Sequence, residues 1–279
     1  MGRLTGRTRA ALERLVGGVL VLAASAALAD DVAPPSFADL EAGGWRYGTI
    51  TVRTENVFDT SDPAEDLLLF RWANALHIVT RREVVERALL FRTGEVVSAH
   101  RVEETERVLR GTRYLSDARI RPVAVRDGVV DVEVVTRDAW TLDPGISASR
   151  AGGANAGGIS LQEANLLGTG WSVGIGRSAN VDRTATELTV QNDRAFGSWT
   201  GVGLSLSSNS DGERQAFRVV RPFYALDARW AAGVSVSRDD RIEAVYVAGE
   251  VASRYRRQQD LAEVFAGFSE GVRDGWVNR

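Results

Sequence analysis

Three runs between Gly168 and Ser237 decide how this chain is read: Trp171-Ser172-Val173-Gly174-Ile175-Gly176, Val202-Gly203-Leu204-Ser205-Leu206-Ser207, and Trp230-Ala231-Ala232-Gly233-Val234-Ser235-Val236-Ser237. In each, large apolar residues alternate with glycine, serine or alanine. A period of two puts the apolar side chains on one face of a strand and the small or polar ones on the other. Soluble sandwiches alternate too. Glycine on the non-apolar face is less usual there, because it weakens a strand and packs nothing. A crowded or water-filled barrel lumen accounts for the glycine, with the apolar face turned to lipid.

The 279 residues allow one large or two ordinary domains, and the formal charge of −3 argues against a general nucleic-acid binder. There is no cysteine, so neither a disulfide framework nor a cysteine metal site is expected. All 34 basic residues are arginine, read here as a coding bias. Apart from the N-terminal segment, no run approaches the ~20 apolar residues of a spanning helix. A membrane role would therefore require a closed barrel.

At the N-terminus, Arg3, Arg7, Arg9 and Arg14 precede the apolar run Leu15–Ala29, and Ala27-Leu28-Ala29 fits a small-residue cleavage site. This layout predicts a secretory signal peptide over residues 1–29, with the mature chain starting at Asp30. Residues 30–44, with Pro34, Pro35, Gly43 and Gly44, read as a flexible lead-in.

Residues 45–142 read as an α+β module. Tyr47–Phe58 is rich in valine, isoleucine and threonine and predicts a strand. Pro63 opens a helix running to about Leu76. Thr80 and Glu83 form a Thr-x-x-Glu capping-box pattern for the next helix, which Gly94 ends. Ser98–Tyr114 predicts another. Ala118–Val125 and Val129–Val135 are strands joined by Arg126-Asp127-Gly128, a hairpin signal. The core order is strand, helix, helix, strand, strand.

Several segments of this module resemble a POTRA domain: Ala73-Asn74-Ala75-Leu76-His77-Ile78-Val79-Thr80-Arg81, Leu89–Glu95, Glu104–Arg110, Tyr114–Ala118 and Asp138-Ala139-Trp140. Such domains precede the barrels of the BamA/TamA superfamily. The block Gly158-Ile159-Ser160 through Asn165-Leu166-Leu167-Gly168-Thr169-Gly170 resembles the first hairpin and periplasmic turn of those barrels, and Arg221-Pro222-Phe223-Tyr224 a later turn. The resemblance implies a periplasmic POTRA module followed by antiparallel transmembrane strands over 143–279. It places the chain in the outer membrane of a Gram-negative bacterium. Strands are expected near 145–151, 158–165, 171–180, 184–192, 199–208, 214–221, 228–238 and 260–269. Gly152–Gly157, Asn209–Glu213 and 239–258 are expected as outer loops, the last either irregular or with a hairpin of its own. Trp171, Trp199, Phe223, Tyr224 and Trp230 lie near the proposed turns and suit an aromatic girdle, or ordinary core anchoring. The segment has room for about eight strands where the resembling barrels have sixteen. It also lacks their inward loop motif and aromatic terminal strand, so an incomplete barrel, a truncated product or fragment, is expected.

Candidate chemistry is sparse. Gly267-Phe268-Ser269-Glu270-Gly271 matches G-x-S-x-G, but a serine hydrolase needs a strand-to-helix turn and a downstream histidine. Both histidines, His77 and His100, precede it. They could ligate a metal, but a structural role is the expectation. Glu103, Glu104, Glu106 and Arg107 could look like an acid/base cluster, but on a helix they read as a solvated face with local ion pairs. Gly168-Thr169-Gly170 lacks dinucleotide-site spacing. Arg177, Arg218 and Arg221 are expected to face a lumen or an interface, since arginine is costly toward lipid. No catalytic residue, cofactor or metal is expected.

What the resemblance implies is help with inserting or exporting other proteins. An edge strand of the module, Ala118–Val125 (Ala118, Ile120, Pro122, Val123, Val125) or Tyr47–Phe58, would pair with an extended client. The first barrel strand, with Gly145, Ile146, Ser147, Ala148 and Ser149, would form a seam. The expected partners are the bilayer, unfolded outer-membrane or secreted clients, and periplasmic chaperones or accessory lipoproteins. The alternatives are a passive pore or structural barrel, and a soluble hydrolase resting on Ser269.

Overall fold

The computed structural model describes residues 34–151, 153–273 and 276–277. The predicted signal peptide and the start of the lead-in lie outside the described residues. The rest of the lead-in is not all flexible. Ser36 caps a short helix, α1 (Phe37–Ala42), by accepting from the Asp39 N–H, and this helix buries Leu40 in the module core.

The module follows as β1 (Arg46–Glu55), α2 (Leu68–Leu76), α3 (Arg82–Glu86), α4 (Ala99–Arg110), β2 (Leu115–Arg126) and β3 (Val129–Asp138). The sheet order is β1-β3-β2, with β1 parallel to β3 and β2 antiparallel to it. The central strand β3 alternates strictly, burying Val130, Val132 and Val134 against the helices. Tyr47 stacks on Phe91 within that core, ring centroids 4.4 Å apart. Asp127 and Gly128 both have positive φ, at 52° and 78°. That is the tight hairpin geometry the dipeptide predicts.

Helix boundaries differ from the sequence reading at both ends: α3 stops at Glu86, well before Gly94, α4 stops at Arg110 and not Tyr114, and two starts differ as well. Residues 59–65 stay in turns because the Asp59 and Asp62 side chains accept from Ser61 N and Ala64 N, competing with helix formation, so α2 begins at Leu68. Thr80 does not cap α3. Arg81 is the cap, without a side-chain bond, because the Thr80 hydroxyl is engaged by Asn165.

The second half is one antiparallel meander of eight strands: β4 (Leu142–Ala151), β5 (Ala154–Glu163), β6 (Ser172–Ala179), β7 (Thr184–Ala195), β8 (Thr200–Asn209), β9 (Gly212–Arg221), β10 (Trp230–Val247) and β11 (Glu250–Phe268). The sheet is open, with β4 and β11 at its edges. Two short strands, β12 (Val272–Arg273) and β13 (Trp276–Val277), pair with each other. The expected outer loops are shorter than predicted. β5 already starts at Ala154, and Ser210-Asp211 alone join β8 to β9. Residues 239–258 are not an irregular loop but the hairpin that was the alternative: β10 and β11 run 18 and 19 residues and turn at Ala248-Gly249. Their charged alternation hides the strand period from a reading that looks for apolar faces.

Register sorts the sheet into two faces. Ile146 pairs with Ile159, Leu161 with Ile175, Ile175 with Leu188, Leu188 with Leu206, Leu204 with Phe217, Phe217 with Val236, and Val234 with Val264. These residues occupy one continuous apolar face. The other face carries Gly145, Ser147, Ser160, Gly174, Gly176, Thr189, Gly203, Ser205, Arg218, Gly233 and Ser235. There the glycines make room for cross-strand neighbours: a Cβ on Gly203 would lie 2.7 Å from the Arg218 side chain, and one on Gly233 2.4 Å from the Phe265 ring. Among the described residues from β4 to β11, the fully buried apolar side chains are alanines: Ala195, Ala225, Ala228 and Ala231. Ile146 is 87% exposed. Neither face is covered by a protein core. Among the described residues no helix is long and apolar enough to cross a membrane, which leaves strands untouched by that test.

Candidate functional site

The two sheets belong to one compact unit, Pro35–Arg279. The β4–β5, β6–β7, β8–β9 and β10–β11 hairpins of the long sheet gather at one end, and the three intervening turns meet the module at the other. In the first turn, between β5 and β6, Asn165 is buried. Its Nδ2 donates to Thr80 Oγ1 at 2.7 Å and its Oδ1 accepts from Gly170 N at 2.7 Å. Arg81 N donates to Gly168 O at 2.9 Å, and Arg81 Nε to Leu167 O at 3.1 Å. Gly168 sits so close to the module that a Cβ would lie 2.4 Å from Val79 O. Behind Thr80, its N–H donates to Asp138 Oδ2 at 2.8 Å, and His77 Nε2 lies 2.7 Å from the same oxygen. The chain His77–Asp138–Thr80–Asn165–Gly170 thus runs unbroken from module to sheet.

At the second turn, between β7 and β8, Arg194 donates to Val108 O and stacks over Trp199, which packs against the module core. Burial pushes the neighbouring Tyr114 phenol up from its ordinary value. At the third, between β9 and β10, Leu226 N donates to Glu104 Oε1 at 2.8 Å and Arg101 pairs with Asp227. The acidic residues of α4 are therefore not simply a solvated face. Glu104 is buried at the docking surface, and Glu106 Oε1 accepts from Ile120 N on β2. His77 has a structural position, while His100 is half-exposed beside Glu104.

These contacts decide which edges stay open. Along β2, α4 occupies part of the edge: Ile120 N goes to Glu106, and Ala118 O accepts from Arg110 at 2.6 Å. Pro122 has no N–H to offer, and the register shifts between Pro122 and Ala124, leaving Val123 exposed. Val125 packs against the core. The predicted β2 residues thus share a strand but not a uniformly free edge. On β1, segment 93–97 covers the first residues, through Val97 N to Trp45 O, Tyr47 N to Glu95 O and Thr93 Oγ1 to Gly48 O. Among the described residues, no strand pairs with Ile50–Glu55 on the side away from β3. In the long sheet, Gly145, Ile146, Ser147, Ala148 and Ser149 all lie on β4. This edge strand pairs with β5 alone.

The aromatics divide. Trp199 stacks on Tyr224 at 4.3 Å between sheet and module, which is core anchoring. Phe223 covers Gly267 on the small-residue face. Trp230 lies at the end of the apolar face, half-exposed beneath Arg221. Arg218 is on the small-residue face, whereas Arg177 and Arg221 fall on the apolar face near its two ends. There a long side chain can reach water past an apolar band. Ser269 follows β11 and precedes the short strand β12, not a helix, and its hydroxyl accepts from Gly271 N.

Sequence reasoning missed the docking network. Its members Thr80, Asp138 and Asn165 all lie within the quoted motifs, but nothing in their spacing says that they meet. No family model matches the chain, and no curated protein matches it. Among solved structures it is similar to BamA from Haemophilus ducreyi lacking POTRA domains 1–3, with a TM-score of 0.46 and 14% identity over 82% of this chain and 45% of that one. It is also similar to CdiB from Acinetobacter baumannii, with a TM-score of 0.40 and 12% identity over 78% of this chain and 38% of that one. The chain thus spans less than half the length of each of these two solved structures.

Proposed function

We propose that this chain is an outer-membrane β-barrel protein of the BamA/TamA type, with residues 45–142 as a periplasmic POTRA module, that assists insertion or export of other proteins. The observation that carries the reading is the long sheet itself. Eight strands present a continuous apolar face with no protein core against it, and water would penalise that area while lipid would not. The opposite face is small and polar, as a lumen requires.

The activity follows from open backbone rather than from a catalytic group. An extended client pairs with the free edge at Ile50–Glu55 of β1, by strand addition. It then adds to β4, whose Pro144 and Gly145 make it a weak strand. The driving free energy is the client's own apolar burial and backbone pairing in lipid. Expected partners are the bilayer, unfolded clients, and periplasmic chaperones or accessory lipoproteins.

The chain has no cysteine, so single cysteines are clean probes. Ser147→Cys or Ser149→Cys should form disulfides with a cysteine in the terminal strand of a client during insertion into vesicles. Proline at the same positions should block insertion while the module stays folded by circular dichroism. Unimpaired insertion in the proline variants would refute the seam, and conductance without client insertion would instead select a passive pore.

A further inference from the structure

Helix α2 is packed inside out. Its inward side is Phe70, Ala73 and Asn74: Phe70 stacks on Phe58 at 4.0 Å, and Asn74 holds both Phe58 N and Phe58 O. Its outward side carries the largest apolar residues. Leu68, Leu69, Trp72 and Leu76 are 73%, 73%, 63% and 74% exposed. Spacings of three and four place them on one stripe. A nine-residue helix that buries none of its own residues fully while exposing three leucines and a tryptophan needs a partner for that stripe.

The stripe does not stand alone. Two residues past Leu76, exposed Ile78 continues it toward the docking network. Across the Arg81–Gly168 and Arg81–Leu167 bonds lie exposed Leu166 and Leu167, in the turn that joins two strands of the sheet's apolar face. The apolar surface of the sheet therefore extends, through this turn, onto the module. Exposed Arg81 and Arg82 flank it, and Arg71 lies on α2 itself, paired with Asp66. Tryptophan among leucines, bordered by arginine, is the composition of a helix lying in a membrane interface.

We infer that α2 rests on the bilayer surface, with Leu68, Leu69, Trp72 and Leu76 at the boundary between headgroups and acyl chains and the arginines among anionic headgroups. This deepens the function proposed above and rests on its lipid-facing sheet. Held at two places, by the docking network and by α2, the module has a fixed tilt relative to the membrane. That tilt sets the direction from which a client on β1 approaches the sheet.

The test uses the full-length chain in phosphatidylethanolamine/phosphatidylglycerol vesicles, with a nitroxide on a single cysteine. Leu69→Cys and Leu76→Cys should lose most of their accessibility to an aqueous nickel chelate and gain accessibility to oxygen. Val123→Cys serves as the aqueous reference and Ile146→Cys as the sheet reference. The shielding should persist as protein is diluted into excess lipid and weaken when phosphatidylglycerol is omitted. A lipid-exposed position 146 with water-exposed 69 and 76 overturns the inference and leaves the barrel reading standing. A water-exposed position 146 overturns the barrel reading and, with it, the inference that rests on it. Shielding that vanishes on dilution means a second copy covers the stripe, and it also overturns the inference.

Discussion

Replacing Asn165 by alanine should loosen the module from the sheet, and the structure gives the size of the effect. Asn165 is buried, donates to Thr80 Oγ1 and accepts from Gly170 N, both at 2.7 Å. The substitution removes both bonds and leaves a buried hydroxyl and a partly buried N–H without these partners, a loss of about 2–4 kcal/mol. Thr80→Val keeps the shape of that side chain and removes only the hydroxyl, for about 1–2 kcal/mol. The two changes delete one shared bond, so the double variant should cost about 1 kcal/mol less than the sum of the singles. Equilibrium urea unfolding in detergent micelles reads this out through Trp199, which lies between module and sheet stacked on Tyr224. Losses that add to within about 0.3 kcal/mol would refute the claim that the Thr80–Asn165 bond couples the two halves.

Other consequences are simpler. Gly233→Val places a Cβ 2.4 Å from the Phe265 ring and 3.0 Å from Val220, so it should cost about 1–3 kcal/mol by overpacking, read as a lower unfolding midpoint in micelles. Gly128→Ala has open space for its methyl but must hold φ near 78°, so it should destabilise the module by about 1 kcal/mol through backbone strain alone. The Asp131 carboxyl is held below the usual range, first by the N–H of Thr49 and then by Arg126. A depressed folded pKa gives stability that is present above the unfolded value of about 4 and is lost as pH falls through the folded one. Asp131→Asn should therefore flatten the acid side of the module's stability profile below about pH 4, measured by urea midpoints at stepped pH.

The parts legible in the sequence are those governed by neighbours along the chain. Asp127-Gly128 announces its hairpin because both residues tolerate positive φ. Trp171–Gly176 announces its strand because the face alternation is local. What was hidden depends on distant partners. The Thr80 hydroxyl looks like a helix cap until Asn165, 85 positions away, takes it. Glu104 and Glu106 look like a solvated face until Leu226 N and Ile120 N arrive beside them. Arg177 was read by its charge, but its register with Ile159 puts it on the apolar side. The strands over 239–258 were read as a loop, with a hairpin of its own as the alternative, because Arg238, Asp240 and Arg256 are satisfied by cross-strand partners, Arg238 by Asp260 and Arg256 by Asp240, and not by an apolar core. For the candidate edges, sequence placed Gly145–Ser149 on the first strand of the sheet. It could not say that part of β2 is masked by α4 while Ile50–Glu55 of β1 is open.

The unequal lengths of neighbouring strands have a mechanical consequence. β9 reaches only as far as Gly212, opposite Arg241, while β10 and β11 run on to their turn at Ala248-Gly249. Beyond that point the hairpin is a two-stranded spar, steadied by the Arg183–Glu243 ion pair and the Tyr246–Asp182 hydrogen bond and not by a third backbone ladder. A two-stranded ribbon is marginal by itself. The spar would therefore bend near Gly212 under load before the eight-stranded part behind it gave way.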